Sequence, residues 1–337
     1  MSKIVAALAV LIAIAAAVLF LYGRGDEEAL VVYCAHDAIY SEAILQRFEE
    51  ETGIPLRIRF DSEATKSLGL TERLRREGAD GPCDVFWNNE LLGTLDLLDA
   101  GLLAPYQGPG WQRIPAAFKD PEGRWTGFGA RLRVWILHED AEGQVAEPEA
   151  LLQEDPSQVA IAKPLYGTTR THYTVLWQRW GAERLKEWHH QLRQQGLREV
   201  NGNGASMRLV ADGVCAAGWT DTDDAFLALD DGKPVRMQPV RLADGATIAI
   251  PNTVSIIRGS RHRQAAERLV DWLLSAEIEL ALAASASRQI PLGPVDGSRL
   301  PAGAAELADW AADGVDLSTL GPSRGPCLDW LQEQYRQ

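Results

Sequence analysis

Cysteine is scarce in this 337-residue chain: the four residues at 34, 83, 215 and 327 stand too far apart for a zinc ribbon or a CxxC redox motif. They are also too few to build a disulfide scaffold, so the fold must rest on a hydrophobic core, which the 46% share of apolar and aromatic residues can supply. Basic charge is in deficit, with 33 Lys and Arg against 47 Asp and Glu, a net charge of −14. Such a surface repels phosphate backbones and anionic headgroups, which excludes nucleic acid as a partner and favours a cationic or neutral ligand. The motifs that announce common chemistries are missing too: no GxSxG elbow, P-loop, HExxH, or GxGxxG opening the first helix. Asn201-Gly202-Asn203-Gly204 has glycines without dinucleotide spacing, and His189-His190 lack the i, i+4 geometry of a zinc pair. The eleven Trp are scattered and form no sugar-stacking platform. The reading is therefore a protein that is not an enzyme, with an exported hydrolase using Asp223 and His36 as the alternative of another class.

Long hydrophobic runs are also wanting, with one exception. Ile4–Tyr22 is nineteen uncharged residues, nearly enough to cross a ~30 Å hydrocarbon core as a helix. Residues 1–24 are expected to be a signal peptide or a membrane anchor. Lys3 precedes the run and Asp26-Glu27-Glu28 follow it, so the bulk of the chain is expected outside the cytoplasmic membrane, tethered by residues 4–22 if the segment is not cut. Val31-Val32-Tyr33 before Cys34 lacks the small residues of a lipid-modified cysteine.

A length prior of about 150 residues per domain suggests two units in the rest. Leu30–Tyr33, Pro55–Phe60 and Asp84–Trp87 read as strands, separated by helices over Glu42–Glu50 and Leu68–Glu77, with a third helix over Leu91–Ala100. A strongly apolar strand, Arg133–Leu137, then crosses to a second α/β unit. That unit has strands Val159–Ala162, Leu197–Val200 and Cys215–Trp219 and helices Thr171–Trp180, Ala182–Gln195 and Ala205–Asp212. Thr247–Ile250 and Val254–Ile257, separated by Pro251-Asn252, read as the return crossing, and helices follow over Gln264–Leu274, Glu277–Ala284 and Ala304–Ala312. The expected bounds are 30–132 with 252–300 for lobe 1, 133–251 for lobe 2, and 301–337 for C-terminal helices packing on the lobes. Parallel sheets bind ligands beyond the carboxyl ends of their strands.

Several phrases in order carry a resemblance: Phe48-Glu49-Glu50-Glu51-Thr52-Gly53-Ile54, Asp84-Val85-Phe86-Trp87-Asn88-Asn89-Glu90, Gly218-Trp219-Thr220-Asp221-Thr222-Asp223-Asp224, Ile250-Pro251-Asn252-Thr253-Val254 and Gln289-Ile290-Pro291-Leu292. Over about residues 30–295 the chain resembles the family 1 extracellular solute-binding proteins of ABC importers, and is similar to their ferric-iron-binding branch. The resemblance implies a type 2 periplasmic binding protein fold, two α/β lobes joined by two crossing strands, here with the N-terminal helix added. It further implies a monomer that takes up a small solute and delivers it to a permease and its ATPase. The branch's first-lobe histidine corresponds to His36 and its glutamate to Asn89 or Glu90. Its adjacent second-lobe tyrosines fall near Thr222-Asp223-Asp224, and this chain has no Tyr-Tyr pair.

Candidate ligand residues follow the strand ends. His36 and Asp37 come after the first strand, Asn89 and Glu90 after the third, and Asp61, Ser62, Glu63 and Thr65, with Lys66, after the second. Tyr166, Thr168 and Thr169 lead into a helix whose amides suit an anion, and Asp221 and Asp223 follow the strand ending at Trp219. Arg131 and Asn252 stand at the crossings. For each there is a plainer reading: helix caps for Asp37, the Asn88–Glu90 segment, Thr169 and the aspartates, and core packing for Trp219. Carboxylates gathered in a cleft call for a cation. Ferric iron is the first expectation, held by His36, Glu90 and Asp223 together with a synergistic anion, with no other cofactor. A polyamine or other organic cation, and a phosphonate-type anion, are the alternatives.

Overall fold

The computed structural model describes residues 29–61, 68–141, 148, 151 and 155–336. The expected N-terminal span and residues Ser62, Glu63, Thr65 and Lys66 of the second-strand loop lie outside the described residues. Among the described residues no helix is long and apolar enough to cross a membrane.

The chain starts with β1 (Leu30–Cys34), buried at every position, as a strand covered on both faces must be. Helix α1 (Ala38–Thr52) follows and ends at Gly53, whose φ of 68° is a left-handed cap that glycine adopts without strain. Strand β2 (Leu56–Phe60) alternates half-buried and exposed residues, as an edge strand does. After α2 (Leu68–Glu77) comes β3 (Val85–Asn88), and β1 pairs in parallel with both β2 and β3. Helix α3 (Leu92–Asp99), the short β4 (Leu103–Ala104) and α4 (Pro109–Arg113) complete this part.

Strand β5 (Thr126–His138) is the first crossing, longer than the sequence pattern indicated and buried at twelve of its thirteen positions. Through Leu132 it pairs antiparallel with β10 (Ala249–Ile257); from Arg133 onward it pairs antiparallel with β8 (Ala217–Asp221). The second unit contains β6 (Val159–Ala162), α5 (Gly167–Trp180), α6 (Ala182–Gln194), β7 (Arg198–Val200), α7 (Asn203–Ala211), β8 and α8 (Thr222–Asp230), with β9 (Val235–Pro239) returning along β5. Strand order β2-β1-β3-β10-β5-β8-β6-β7 therefore has parallel strands outward and two long antiparallel strands in the middle. These are two α/β lobes joined by two crossing strands, the type 2 periplasmic binding protein architecture.

Three local differences from the sequence pattern matter for the site. The return crossing is one strand, because a register slip between Pro251 and Asn252 absorbs the proline. Helix α5 begins at Gly167 rather than Thr171, and β8 runs on to Asp221 so that α8 begins at Thr222. These shifts move Thr168, Thr169, Asp223 and Asp224 into first helical turns. Toward the C-terminus lie α9 (Arg263–Leu273), α10 (Ala276–Ala284), α11 (Ala304–Ala312) and α12 (Gly321–Gln334). Helix α12 tolerates Pro326 in its interior and packs on α5, with the Trp330 and Trp177 rings 5.7 Å apart.

One buried carboxylate pins the C-terminal part to the crossing. Glu279 on α10 accepts hydrogen bonds from the amides of Gly129 (2.9 Å), Leu292 (2.8 Å) and Gly293 (3.0 Å) and pairs with Arg113 at 2.7 Å. Glu279→Ala leaves these donors in a dry site without an acceptor. It is expected to cost about 3–5 kcal/mol in urea unfolding. Glu279→Gln, which keeps an acceptor oxygen, is expected to cost less, and equal losses for the two would count against the pinning role.

Candidate functional site

A cavity of about 540 Å³ opens at the carboxyl ends of the second unit's strands and reaches the first unit and the crossing. That is the size of a small-molecule site. Asp37 and Asn89 supply the first unit's side, Arg131 of β5 the middle, and most of the rest comes from three strand-to-helix turns, β6 to α5, β7 to α7, and β8 to α8, with Arg193 of α6 and Gln334 and Tyr335 at the end of α12 closing one side. Tyr166, Gly202 and Asp221 are the N-cap residues of the helices that start at these turns, and none makes a side-chain cap bond. Gly167 and Gly202 have φ of 53° and 91°, so the turns use a left-handed backbone that a side chain would strain.

The framework under the cavity is a buried ion pair. Arg133 Nη1 donates to Asp221 Oδ1 at 2.7 Å, and Asp221 Oδ2 accepts from the Thr168 hydroxyl at 2.6 Å and from Asn203 Nδ2 at 3.0 Å. Thr169 in turn donates to Asn203 Oδ1 at 2.9 Å and accepts from Arg133 Nη2 at 3.3 Å. Asp221, Thr168 and Thr169 thus border the cavity while their polar atoms tie its three turns together.

Beside this framework stands an acidic group with a cation in it. Asp223 Oδ2 lies 4.0 Å and Asp221 Oδ2 3.4 Å from Arg131 Nε. Burial opposes the Arg131 charge, but Asp223, Asp221, Asp37 and Asp224 outweigh it and hold the guanidinium above its ordinary value. Burial, and then the charges of Asp223, Asp224 and Asp37, push the phenol of Tyr40 on α1 up. Asp223 Oδ1 accepts from the Asp224 amide at 3.1 Å, and Asp224 Oδ2 from the Thr220 hydroxyl at 2.8 Å.

Of the residues expected to face the solute, Asp37, Asn89, Arg131, Tyr166, Thr168, Thr169, Asp221 and Asp223 border this cavity, and His36, Glu90, Trp219 and Asn252 do not. Glu90 folds back onto the amides of Leu92 (2.5 Å) and Gly93 (2.7 Å) at the start of α3 and accepts from Thr171 at 3.2 Å. Burial raises its carboxyl above the usual range against the opposing charge of Arg170 and those two amides. Trp219 is fully buried, its ring 4.1 Å from His172 and stacked with Trp188 at 6.0 Å. Asn252 bonds across to β5, and His36 contacts Gln289. The expected triad of His36, Glu90 and Asp223 is therefore not gathered. Among the described residues, no group of three or more His, Cys, Asp or Glu side chains is arranged to hold a metal ion. Arg170 near the start of α5 pairs with Asp96 at 3.0 Å.

Sequence reasoning missed Lys163, Asn203, Arg133 and the wall formed by Arg193, Glu199 and Tyr335. The Asn201–Gly204 segment was set aside for want of a dinucleotide motif, although it follows a strand end like the other turns. Arg133 inside an apolar strand was a readable signal: a buried guanidinium requires a partner. Tyr335 carries no sequence signal.

That wall rests on a buried histidine. Glu199 accepts from the Tyr335 hydroxyl and pairs with Arg193 Nε at 3.1 Å. His189 sits beneath, its Nδ1 2.9 Å from the Tyr173 hydroxyl and its Nε2 3.4 Å from that of Tyr335. Burial, then the charges of Arg193 and His190, lower His189 to about 4. In the unfolded chain the imidazole takes its proton near pH 6.5, so its contribution is complete above that pH and is lost as pH falls toward 4, by about 3 kcal/mol. Urea unfolding measured between these pH values is expected to show this slope, and His189→Gln to flatten it. An unchanged slope in the variant would sink the assignment.

A family model described as "Bacterial extracellular solute-binding protein" matches residues 30–285. The chain is 22% identical over 328 residues to iron uptake protein A1 of Synechocystis sp., covering 92% of this chain and 88% of that protein. Among solved structures it is similar to the apo ferric ion-binding protein A of Pasteurella haemolytica, with a TM-score of 0.78, 18% identity and coverage of 92% and 98% of the two chains. It is also similar to the Trichodesmium protein IdiA (FutA) in complex with iron and citrate ligands, with a TM-score of 0.72, 19% identity and coverage of 91% and 98%. A match over three quarters of the length, on a two-lobed fold with a cavity bordered by both lobes, establishes that the chain belongs to the bacterial extracellular solute-binding protein family.

Proposed function

We propose that this chain is the solute-capture subunit of an ABC importer and that its solute is ferric iron, taken together with an anion. The observation that carries the reading is that carboxylates of both lobes, Asp37 from one and Asp223 and Asp224 from the other, border one cavity. Carboxylate oxygen is a hard donor suited to ferric iron. Relatives named for iron uptake and ferric binding support the same choice. Tyr166, a neighbour on the cavity wall, is the phenol best placed to join them, because Tyr173 is buried and engaged with His189. The anion has a place at the starts of α5 and α7, where uncapped amides and Lys163 face the cavity.

Capture works through differential contacts. A solute that touches both lobes only when they approach shifts the hinge toward closure, and the permease and its ATPase read the closed form. The change of β5 partners between Leu132 and Arg133 supports lobe bounds of 30–132 with 252–300 and 133–251. Residues 4–22 hold the monomer to the outer face of the cytoplasmic membrane in this reading, and no catalytic step is assigned to it.

One alternative is an organic cation such as a polyamine resting against the same aspartates, which needs no group of three or more His, Cys, Asp or Glu side chains such as is absent among the described residues. Titration with ferric citrate and, separately, with spermidine, followed by Trp fluorescence, separates the two. Ferric citrate is expected to saturate the site, and the paired Asp223→Ala, Asp224→Ala variant to bind at least roughly tenfold more weakly, the effect of about 1.4 kcal/mol. Any visible phenolate-to-iron absorbance is expected to vanish in Tyr166→Phe. Saturation by spermidine alone would replace iron with the organic cation.

A further inference from the structure

His36 is the residue that the iron-binding resemblance would make a metal donor, and the hydrogen bonds around it give its ring atoms another use. Asn252, fully buried at the register slip of β10, points Nδ2 at the carbonyls of Gly129 (2.5 Å) and Phe128 (3.3 Å) of β5. Two backbone acceptors identify that atom as the amide nitrogen. The same nitrogen lies 2.7 Å from Gln289, so Gln289 turns its oxygen to Asn252 and its NH2 group to His36. An amide nitrogen only donates, so His36 Nε2 must accept, and the ring proton resides on Nδ1, which faces the Asp37 carbonyl at 3.3 Å. The lone pair a metal would need on Nε2 is already engaged.

The chain of bonds runs from both crossing strands to the turn that carries Asp37 into the cavity. Gly129, at φ 47°, leaves the space that the chain occupies: a Cβ there would stand 2.7 Å from Gln289 Oε1. The Asp37 carbonyl also accepts from the amides of Tyr40 and Ser41, each at 3.0 Å, so the turn and the start of α1 move as one piece. Asn252 Oδ1 has no hydrogen-bond partner although it is buried. A buried orphan acceptor is costly, and a second hinge arrangement that supplies a donor would relieve it.

The geometry assigns His36, Gln289 and Asn252 to a coupling chain that transmits bending of the crossing strands to Asp37, with His36 a positioning residue and not a solute donor. This deepens the solute-binding reading and rests on it only for what Asp37 meets in the cavity.

Histidine 15N NMR at neutral pH tests it directly. His36, assigned among the six histidines by the signals lost in His36→Gln, is expected as the Nδ1–H tautomer. Gln289→Glu, whose carboxylate only accepts, is expected to move a proton onto Nε2. An Nε2–H tautomer in the natural chain, or no response to Gln289→Glu, overturns the chain of bonds. Amide hydrogen exchange reads the coupling: Gln289→Ala is expected to speed exchange at Tyr40 and Ser41 together with residues 129–132, by about tenfold. Acceleration confined to the crossing strands overturns it. Gallium citrate, a diamagnetic stand-in for ferric citrate, separates the proposals. Direct displacement of the Nε2 signal by bound metal overturns the positioning role. A chain that takes up no gallium counts against the ferric reading alone, and the tautomer and exchange results still decide the coupling.

Discussion

The pairing of Arg133 with Asp221 is the constraint on which the rest of the site depends. Arg133 sits in the crossing strand one residue beyond the last position that pairs with β10, and its side chain is fully buried. A guanidinium there is tolerable only if a carboxylate meets it and the remaining N–H groups find acceptors. Asp221 supplies the first, and Thr168, Thr169 and Asn203 most of the second. Satisfying one buried charge therefore brings together the ends of β6, β7 and β8, and the cavity is the space left above that knot. The pair contributes specificity of arrangement more than net stability, since burying two ions costs nearly what their attraction returns.

The same logic sets the cavity's electrostatics. Asp221 is neutralised by the framework, while Asp37, Asp223 and Asp224 lie around Arg131 as an acidic excess. A single guanidinium among these carboxylates leaves room for a further cation, which is why the reading favours a metal or ammonium solute over a bare anion. Lys163 and the uncapped starts of α5 and α7 border the same cavity. These groups are mounted apart: Asp37 on one lobe, Asp223 and Asp224 on the other, and Arg131 on the strand that joins them.

Much of the fold was legible because apolar periodicity is local. The alternation of short β-prone runs with helical ones identified the α/β class, the two crossings and two of the three strand-to-helix turns that border the cavity, the turn at Asn201–Gly204 being missed. Boundaries were less legible where neighbours decide them. Pro251 looked like a break between two runs, yet a bulge carries the strand through it, and Pro326 sits inside a helix held against α5. Thr168, Thr169, Asp223 and Asp224 moved into helices because the framework under the cavity fixes where those helices start.

What the sequence by itself determined was the kind of fold and most of the turns in which to look for a solute: both depend on patterns spanning a dozen residues or fewer. Only the tertiary structure decided which side chains in those turns are available. Glu90 is occupied by amides two and three residues away, whereas Asp221 is occupied by groups 88, 53 and 18 residues distant in the chain, and His36 by Gln289, 253 residues away. A carboxylate or imidazole keeps its lone pairs for a solute only when no donor from elsewhere reaches them first, and that is a property of packing, which no local pattern records.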